Sequence, residues 1–136
     1  MSISNATDLP VRPGEEPWTD AELKEVQAEL ETEAAALRAD LAKAASDVAE
    51  RLHDSVRDAG DDSADAGTKA FEREQELALT QNARDLLDQG ERALARIDAG
   101  TYGVCESCGQ AIGKARLLAF PRATLCVACK QREERR

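Results

Sequence analysis

Four cysteines in two pairs, Cys105 with Cys108 and Cys126 with Cys129, are the residues of this chain best equipped for chemistry. Their pattern, C-x2-C-x17-C-x2-C, is that of a thiolate metal site. Each C-x-x-C lets a tight turn aim two sulfurs at one ion, and Zn²⁺ takes four such ligands as a tetrahedron. Gly109 follows Cys108 directly, where such a knuckle needs a positive φ. Four thiolates close the shell and leave no position for a reactive water, so the expected cofactor is one structural Zn²⁺ and the protein is not expected to be an enzyme. No thioredoxin-like βαβ pattern surrounds either pair, and a reducing cytosol disfavours two disulfides. Four thiolates on Zn²⁺ carry excess negative charge, which Lys114, Arg116, Arg122 and Lys130 are placed in sequence to offset. The segment around the cysteines is too short to bury a core alone, so the metal is expected to supply folding free energy. His53, the sole histidine, falls far away on a helix surface.

The rest of the 136 residues must position this centre. Only Trp18, Phe71, Tyr102 and Phe120 are aromatic, which argues against a large globular core. Ala and Leu mixed with Glu, Asp and Arg at helical spacing read as long helices. Residues 1–17 carry Pro10, Pro13, Gly14 and Pro17 without periodicity and are expected to form a mobile N-terminal tail. Thr19 and Glu22 then form a capping box, with Trp18 and Leu23 in the positions of a hydrophobic staple. A helix is expected from about Asp20 to Asp58, with Leu23, Val26, Leu30, Ala34, Leu37, Leu41, Ala45, Val48 and Leu52 along one face. Turn chemistry follows at Gly60-Asp61-Asp62-Ser63. A second helix is expected from about Asp65 to Asp98, its stripe being Phe71, Gln75, Leu79, Ala83, Leu86, Gly90, Leu94 and Ile97, reinforced by Leu87. Close approach of the facing helix would account for Gly90.

The fold class expected is therefore mainly α. A long antiparallel two-helix coiled-coil hairpin over residues 18–100, with its tip near 59–66, joins a small C4 zinc-finger module over 101–136 that ends in a short C-terminal helix. At 1.5 Å per residue the helices are roughly 60 and 50 Å long, which puts the turn roughly 50 Å from the metal. That turn is acidic: Asp54, Asp58, Asp61, Asp62 and Asp65 are met only by Arg57 over residues 54–65. Such a cluster is usually a solvated loop, but carried on a tip it could reach a recessed partner site that is basic or metal-containing.

Charge limits the partners. Residues 1–104 carry a net −13 and residues 105–136 a net +4, consistent with −9 overall. The acidic body would be repelled by nucleic-acid phosphates, which counts against direct sequence-specific DNA binding. No apolar run approaches the roughly 20 residues needed to span a bilayer, and the N-terminus has no apolar core of the signal-peptide kind. A cytoplasmic location is expected.

The run Gly100-Thr-Tyr-Gly-Val-Cys-Glu-Ser-Cys-Gly109, with Ile112-Gly113, Arg116-Leu117, Pro121 and Leu125-Cys126-x-x-Cys129-Lys130, resembles the DksA/TraR zinc finger, and the preceding hairpin is similar to that family's coiled coil. The likeness covers about residues 20–136. It implies a transcription regulator that binds RNA polymerase and inserts the coiled-coil tip into the secondary channel to modulate initiation. The family's tip motif, D-x-x-D-x-A, falls on Asp62-Ser-Ala-Asp65-Ala-Gly67, where Gly67 replaces the final Ala and Ala66 is adjacent. Arg116, Arg122 and Lys130 would dock on the polymerase or balance charge. Of the three cationic positions that the family uses for guanosine tetraphosphate, two are Gln89 and Phe120 here and only Lys130 is retained, so the resemblance does not extend to that nucleotide site. Two other classes compete. A Gre-like stimulator of transcript cleavage would hold Mg²⁺ on tip carboxylates, but those tips use adjacent Asp-Glu and this turn has no Glu. A nucleic-acid-binding finger would rest on Lys114, Arg116, Arg122, Lys130, Arg132, Arg135 and Arg136.

Overall fold

The computed structural model describes residues 6–57 and 63–135, with side chains outside 55–66. The order is a 3-10 turn at Ala6–Asp8, then helices α1 (Asp20–Arg57), α2 (Ser63–Ala99), α3 (Lys114–Ala119) and α4 (Val127–Glu134). An isolated antiparallel bridge, Val104 to Ala111, is the one extended pairing among the described residues. The molecule is mainly α, with two long antiparallel helices leading into the cysteine module. None of the described helices is long and apolar enough to cross a membrane.

The start of α1 is set by local chemistry. The Thr19 amide donates to Glu22 Oε1 at 3.0 Å, and the Glu22 amide donates to Thr19 Oγ1 at 3.1 Å. These reciprocal bonds satisfy two donors that no helical carbonyl can reach. Trp18 and Leu23, flanking the box, are both buried.

The chain divides into two compact units, Met1–Ala34 with Asp88–Arg136, and Ala35–Leu87. In the first, Leu23, Val26 and Leu30 of α1 share a core with Ala93 and Ile97 of α2 and with the cysteine module. The second consists of the remaining turns of the two helices and is far more exposed, with an Arg51–Glu76 ion pair linking them.

Here the expected stripes fail in part. On α1 the shielded positions run through Leu37 and Leu41 and then to Ala44 and Asp47, while Ala45, Val48 and Leu52 face solvent. On α2 they include Glu76, Thr80, Ala83, Leu86, Leu87, Gly90, Ala93, Leu94 and Ile97, while Phe71, Gln75 and Leu79 are exposed, Leu79 at 70%. The apolar residues of α1 step by about 3.6, the period of a straight helix, whereas two supercoiled helices meet along a seam of about 3.5. The two patterns drift apart by about 20° per heptad, which carries several apolar residues of the second unit off the seam.

Gly90 is buried, yet a Cβ placed there would meet nothing within 4 Å, so close helix approach is not the reason for it. Nothing in the structure explains this glycine. Gly90→Ala is therefore expected to stabilise the protein by about 1 kcal/mol through helix propensity alone, seen as a higher urea midpoint at unchanged slope.

Candidate metal centre

Two different local structures present the sulfurs. After α2 ends, Gly100 (φ 78) and Gly103 (φ 94) turn the chain into the first pair. Cys105 and Cys108 lie on a knuckle closed by the Gly109 amide on the Cys105 carbonyl at 3.0 Å, with Gly109 at φ 76 as its position requires. The Cys105 amide donates to the Gln110 carbonyl at 2.8 Å, and the Glu106 amide reaches across to Thr124 at 2.9 Å, tying this knuckle to the strand of chain before the second pair. Cys126 is the N-cap of α4, and Cys129 lies one turn along, inside it. The Lys130 amide donates to the Cys126 carbonyl at 2.9 Å.

All four sulfurs lie within 4.8 Å of one another, and Cys108 Sγ is 3.8 Å from Cys126 Sγ. A tetrahedron with zinc–sulfur bonds of about 2.3 Å has sulfurs about 3.8 Å apart, so the donor set fits Zn²⁺ in type, number and spacing. Cys105, Cys126 and Cys129 are buried, while Cys108 is exposed.

The thiols are primed for a cation. Burial pushes the Cys105 thiol up, but amide donors around its sulfur outweigh that and bring it down to about 6. Cys126 is lowered too, first by a backbone bond from Cys129 against the cost of burial. Cys129 goes the other way. A Ser107 bond favours its thiolate, yet the neighbouring sulfurs and burial hold it at about 11. Thiolates packed this closely repel one another, and a bound dication offsets that repulsion so that the last one forms near neutral pH.

Three of the four cations assigned to offset this charge have other partners. Lys114 Nζ pairs with Glu22 at 2.7 Å and donates to the Pro17 carbonyl at 3.2 Å. Arg122 pairs with Glu33 of α1. Arg116 Nε donates to the Leu125 carbonyl at 3.2 Å, and its guanidinium lies 5.8 Å from the Phe120 ring centroid. Lys130 is exposed. Lys114 and Arg122 thus fasten the module to α1.

Several positioning residues escape sequence reading. Arg96 Nη2 of α2 pairs with Glu106, between the first two cysteines, at 3.1 Å, and Arg96 Nη1 donates to the Val104 carbonyl at 2.9 Å. The buried Tyr102 hydroxyl donates to the Pro121 carbonyl at 2.9 Å, and burial raises its pKa. The tail expected over residues 1–17 is instead packed from Ala6 onward: Ala6 and Leu9 are buried in the same core as Tyr102, Ile112 and Leu117. Apolar Ala6 and Leu9 among prolines were the available signal, but nothing local says what they pack against.

Of the tip residues, Asp62 lies outside the described residues. Asp65 and Ala66 fall within α2, their side chains outside the described set, and Gly67 is an exposed residue of α2.

Residues 100–135 match the prokaryotic dksA/traR C4-type zinc finger. Among curated proteins, the RNA polymerase-binding transcription factor DksA of Caulobacter vibrioides is 43% identical over 65 residues, which are 48% of this chain and 46% of that protein. The Escherichia coli protein of the same name is 40% identical over 62 residues, 43% of this chain and 41% of that protein. The match thus spans about half the length of these relatives or less. Transcription factor DksA2 from Pseudomonas aeruginosa has the same fold at a TM-score of 0.67 and 29% identity, covering 85% of both chains. An RNA polymerase binding protein and transcriptional regulator from Chlamydia trachomatis matches at a TM-score of 0.52 and 25% identity over 88% of this chain and 94% of that one. With its helical hairpin and a C4 finger suited to one structural zinc ion, the chain carries the dksA/traR-type finger over residues 100–135 and shares the fold of DksA proteins.

Proposed function

We propose that this protein is a non-enzymatic transcription regulator of the cytoplasm that binds RNA polymerase, places its acidic hairpin tip in the secondary channel and modulates initiation. The observation that carries this reading is the likeness to DksA2 over 85% of both chains, which takes in the hairpin as well as the finger. The curated relatives from Caulobacter vibrioides and Escherichia coli are named for polymerase binding. In this reading Asp62 and Asp65, flanked by Ala66 and Gly67, are the tip residues that act. Arg116, Arg122 and Lys130 belong to the docking surface or to its charge balance. A nucleic-acid finger is less well supported, because Lys114, Arg116 and Arg122 are already engaged with carboxylates, carbonyls or an aromatic ring of the chain itself.

The DksA-type guanosine tetraphosphate site is absent from this proposal. Gln89, Phe120 and Lys130 line one cleft of about 860 Å³, so the three positions do converge, but Glu29 and Glu33 line it as well. Glu106, Glu133 and Glu134 line it too, against Arg92, Arg116, Arg122 and Lys130, and Arg92 and Arg122 are already paired with Glu106 and Glu33, so the carboxylates outnumber the cations around any highly charged anion.

Co-purification tests the reading. The tagged full chain is expected to retain core RNA polymerase from its own cell extract at physiological salt. The complex should bind guanosine tetraphosphate only weakly, and no less well after Lys130→Ala than before. Failure to retain polymerase would sink the proposal, and tight nucleotide binding lost with Lys130→Ala would sink its second part alone.

A further inference from the structure

Residues 6–18 cross the cysteine module as a strap, and their polar contacts to it go to Ala111, Lys114 and Ala115, none of them a metal ligand. Ala6, Leu9 and Trp18 are buried in one cluster with Tyr102, Cys105, Ile112 and Leu117. Trp18 and Leu117 are both 0% exposed, and the Trp18 and Tyr102 rings meet edge to face at 6.0 Å. Two glycines of the module lie beneath the strap. A Cβ on Gly113 would stand 3.0 Å from Arg12 Cδ, and one on Gly103 would stand 3.7 Å from Pro10 Cγ and from the Pro10 carbonyl oxygen. Both glycines have positive φ, 114 and 94, so the module turns twice in a conformation that also clears a path for the strap.

Polar contacts fasten the strap along its length. Arg12 Nη1 donates to the Ala111 carbonyl at 3.2 Å. The Glu15 carboxylate accepts from the amides of Lys114 and Ala115, both at 2.9 Å, and from its own neighbour Arg12 at 2.7 Å. These donors hold Glu15 below the usual carboxylate range, the Ala115 amide contributing most. Lys114 answers from the module with its bonds to the Pro17 carbonyl and to Glu22 in the capping box of α1. The strap therefore binds the segment between the two cysteine pairs from both sides, through apolar burial and through charge-assisted bonds.

We infer that the N-terminal strap is a metal-independent latch: residues 6–18 keep the segment between the cysteine pairs seated on the base of α1 and α2 whether or not zinc is bound, and loss of zinc frees only the sulfur-bearing turns. The short cysteine module, which by itself has too little apolar surface to fold without metal, borrows a core from the strap and the helices. The latch does not depend on the polymerase reading, since every contact in it is intramolecular.

Trp18 is the single tryptophan of the chain, so its fluorescence reports the latch directly. The experiment strips zinc from the full-length protein with a chelator and follows Trp18 emission and helical circular dichroism. In the unsubstituted protein the emission is expected to stay at its blue, buried position with no loss of helical signal. In the double variant Arg12→Ala, Glu15→Ala, emission should stay blue with zinc and move to the red, toward its position in urea, once zinc is removed. The inference is overturned if emission of the unsubstituted protein moves to its urea position on chelation, or if the variant stays blue without zinc. Should the double variant be unfolded even with zinc, Glu15→Gln replaces it and is read in the same way.

Discussion

Cys126→Ser is expected to weaken zinc binding by about 100-fold or more, since a structural site worth about 10–16 kcal/mol is shared among four thiolates at about 3 kcal/mol each. A serine hydroxyl does not ionise at neutral pH, so the tetrahedron loses a charged ligand and gains no equivalent. Cys126 is the most telling of the four because it joins the two halves of the centre. It caps α4, its carbonyl receives the Lys130 amide, and its sulfur is 3.8 Å from that of Cys108. Metal analysis after dialysis, with competition by a colorimetric chelator, measures the loss. Limited proteolysis locates the damage: cleavage after Arg122 and Lys130, which flank the second pair, should accelerate, while α1 and α2 keep their helical signal. Undiminished zinc content in the variant would mean that Cys126 is not a ligand.

The second large effect is expected at the other functional element, and it rests on the proposed polymerase reading. Asp65→Asn removes one negative charge and keeps the shape of the side chain. If Asp65 acts through a charged hydrogen bond worth about 1.5–3 kcal/mol, the regulatory effect in purified transcription should fall by about tenfold or more. Zinc content and polymerase association should not change, because neither depends on this carboxylate. Asp62→Asn should behave in the same way. Gly67→Ala supplies a contrast: it restores the family's alanine, and a Cβ at Gly67 would meet nothing within 4 Å, so any change in activity there reflects the stiffness of the helix rather than a clash. Normal regulation by both Asp variants would sink the assignment of the tip, whereas loss of polymerase binding would point to a docking role for it instead.

What could be read from the residues alone follows how far apart the interacting groups lie in the chain. The capping box at Thr19 and Glu22 is a contact over three residues, so its signature in sequence is complete. The knuckle at Cys105 and Cys108 is equally local, and its glycine stands where a positive φ demands one. The distance between the two cysteine pairs could be bridged as well, because four thiolates have only one economical arrangement around zinc. The long helices were legible for a similar reason: their apolar period is carried by neighbours three and four residues apart.

The tertiary structure decided whatever depended on distant partners or on accumulated geometry. Residues 6–17 look like a tail because their partners, Ala111, Lys114 and Ala115, lie about a hundred residues further on. Lys114 and Arg122 look like counter-charges for the thiolates until α1 brings Glu22 and Glu33 to them. Val48, Leu52, Phe71 and Leu79 look like core, and each is sound within its own helix. They are exposed because the pair of helices meets along a 3.5-residue seam that their own spacing does not follow. The four cysteines thus determined that this chain holds a metal, while the strap and the ion pairs from α1 and α2, which only folding brings together, decided what seats that metal centre on the hairpin.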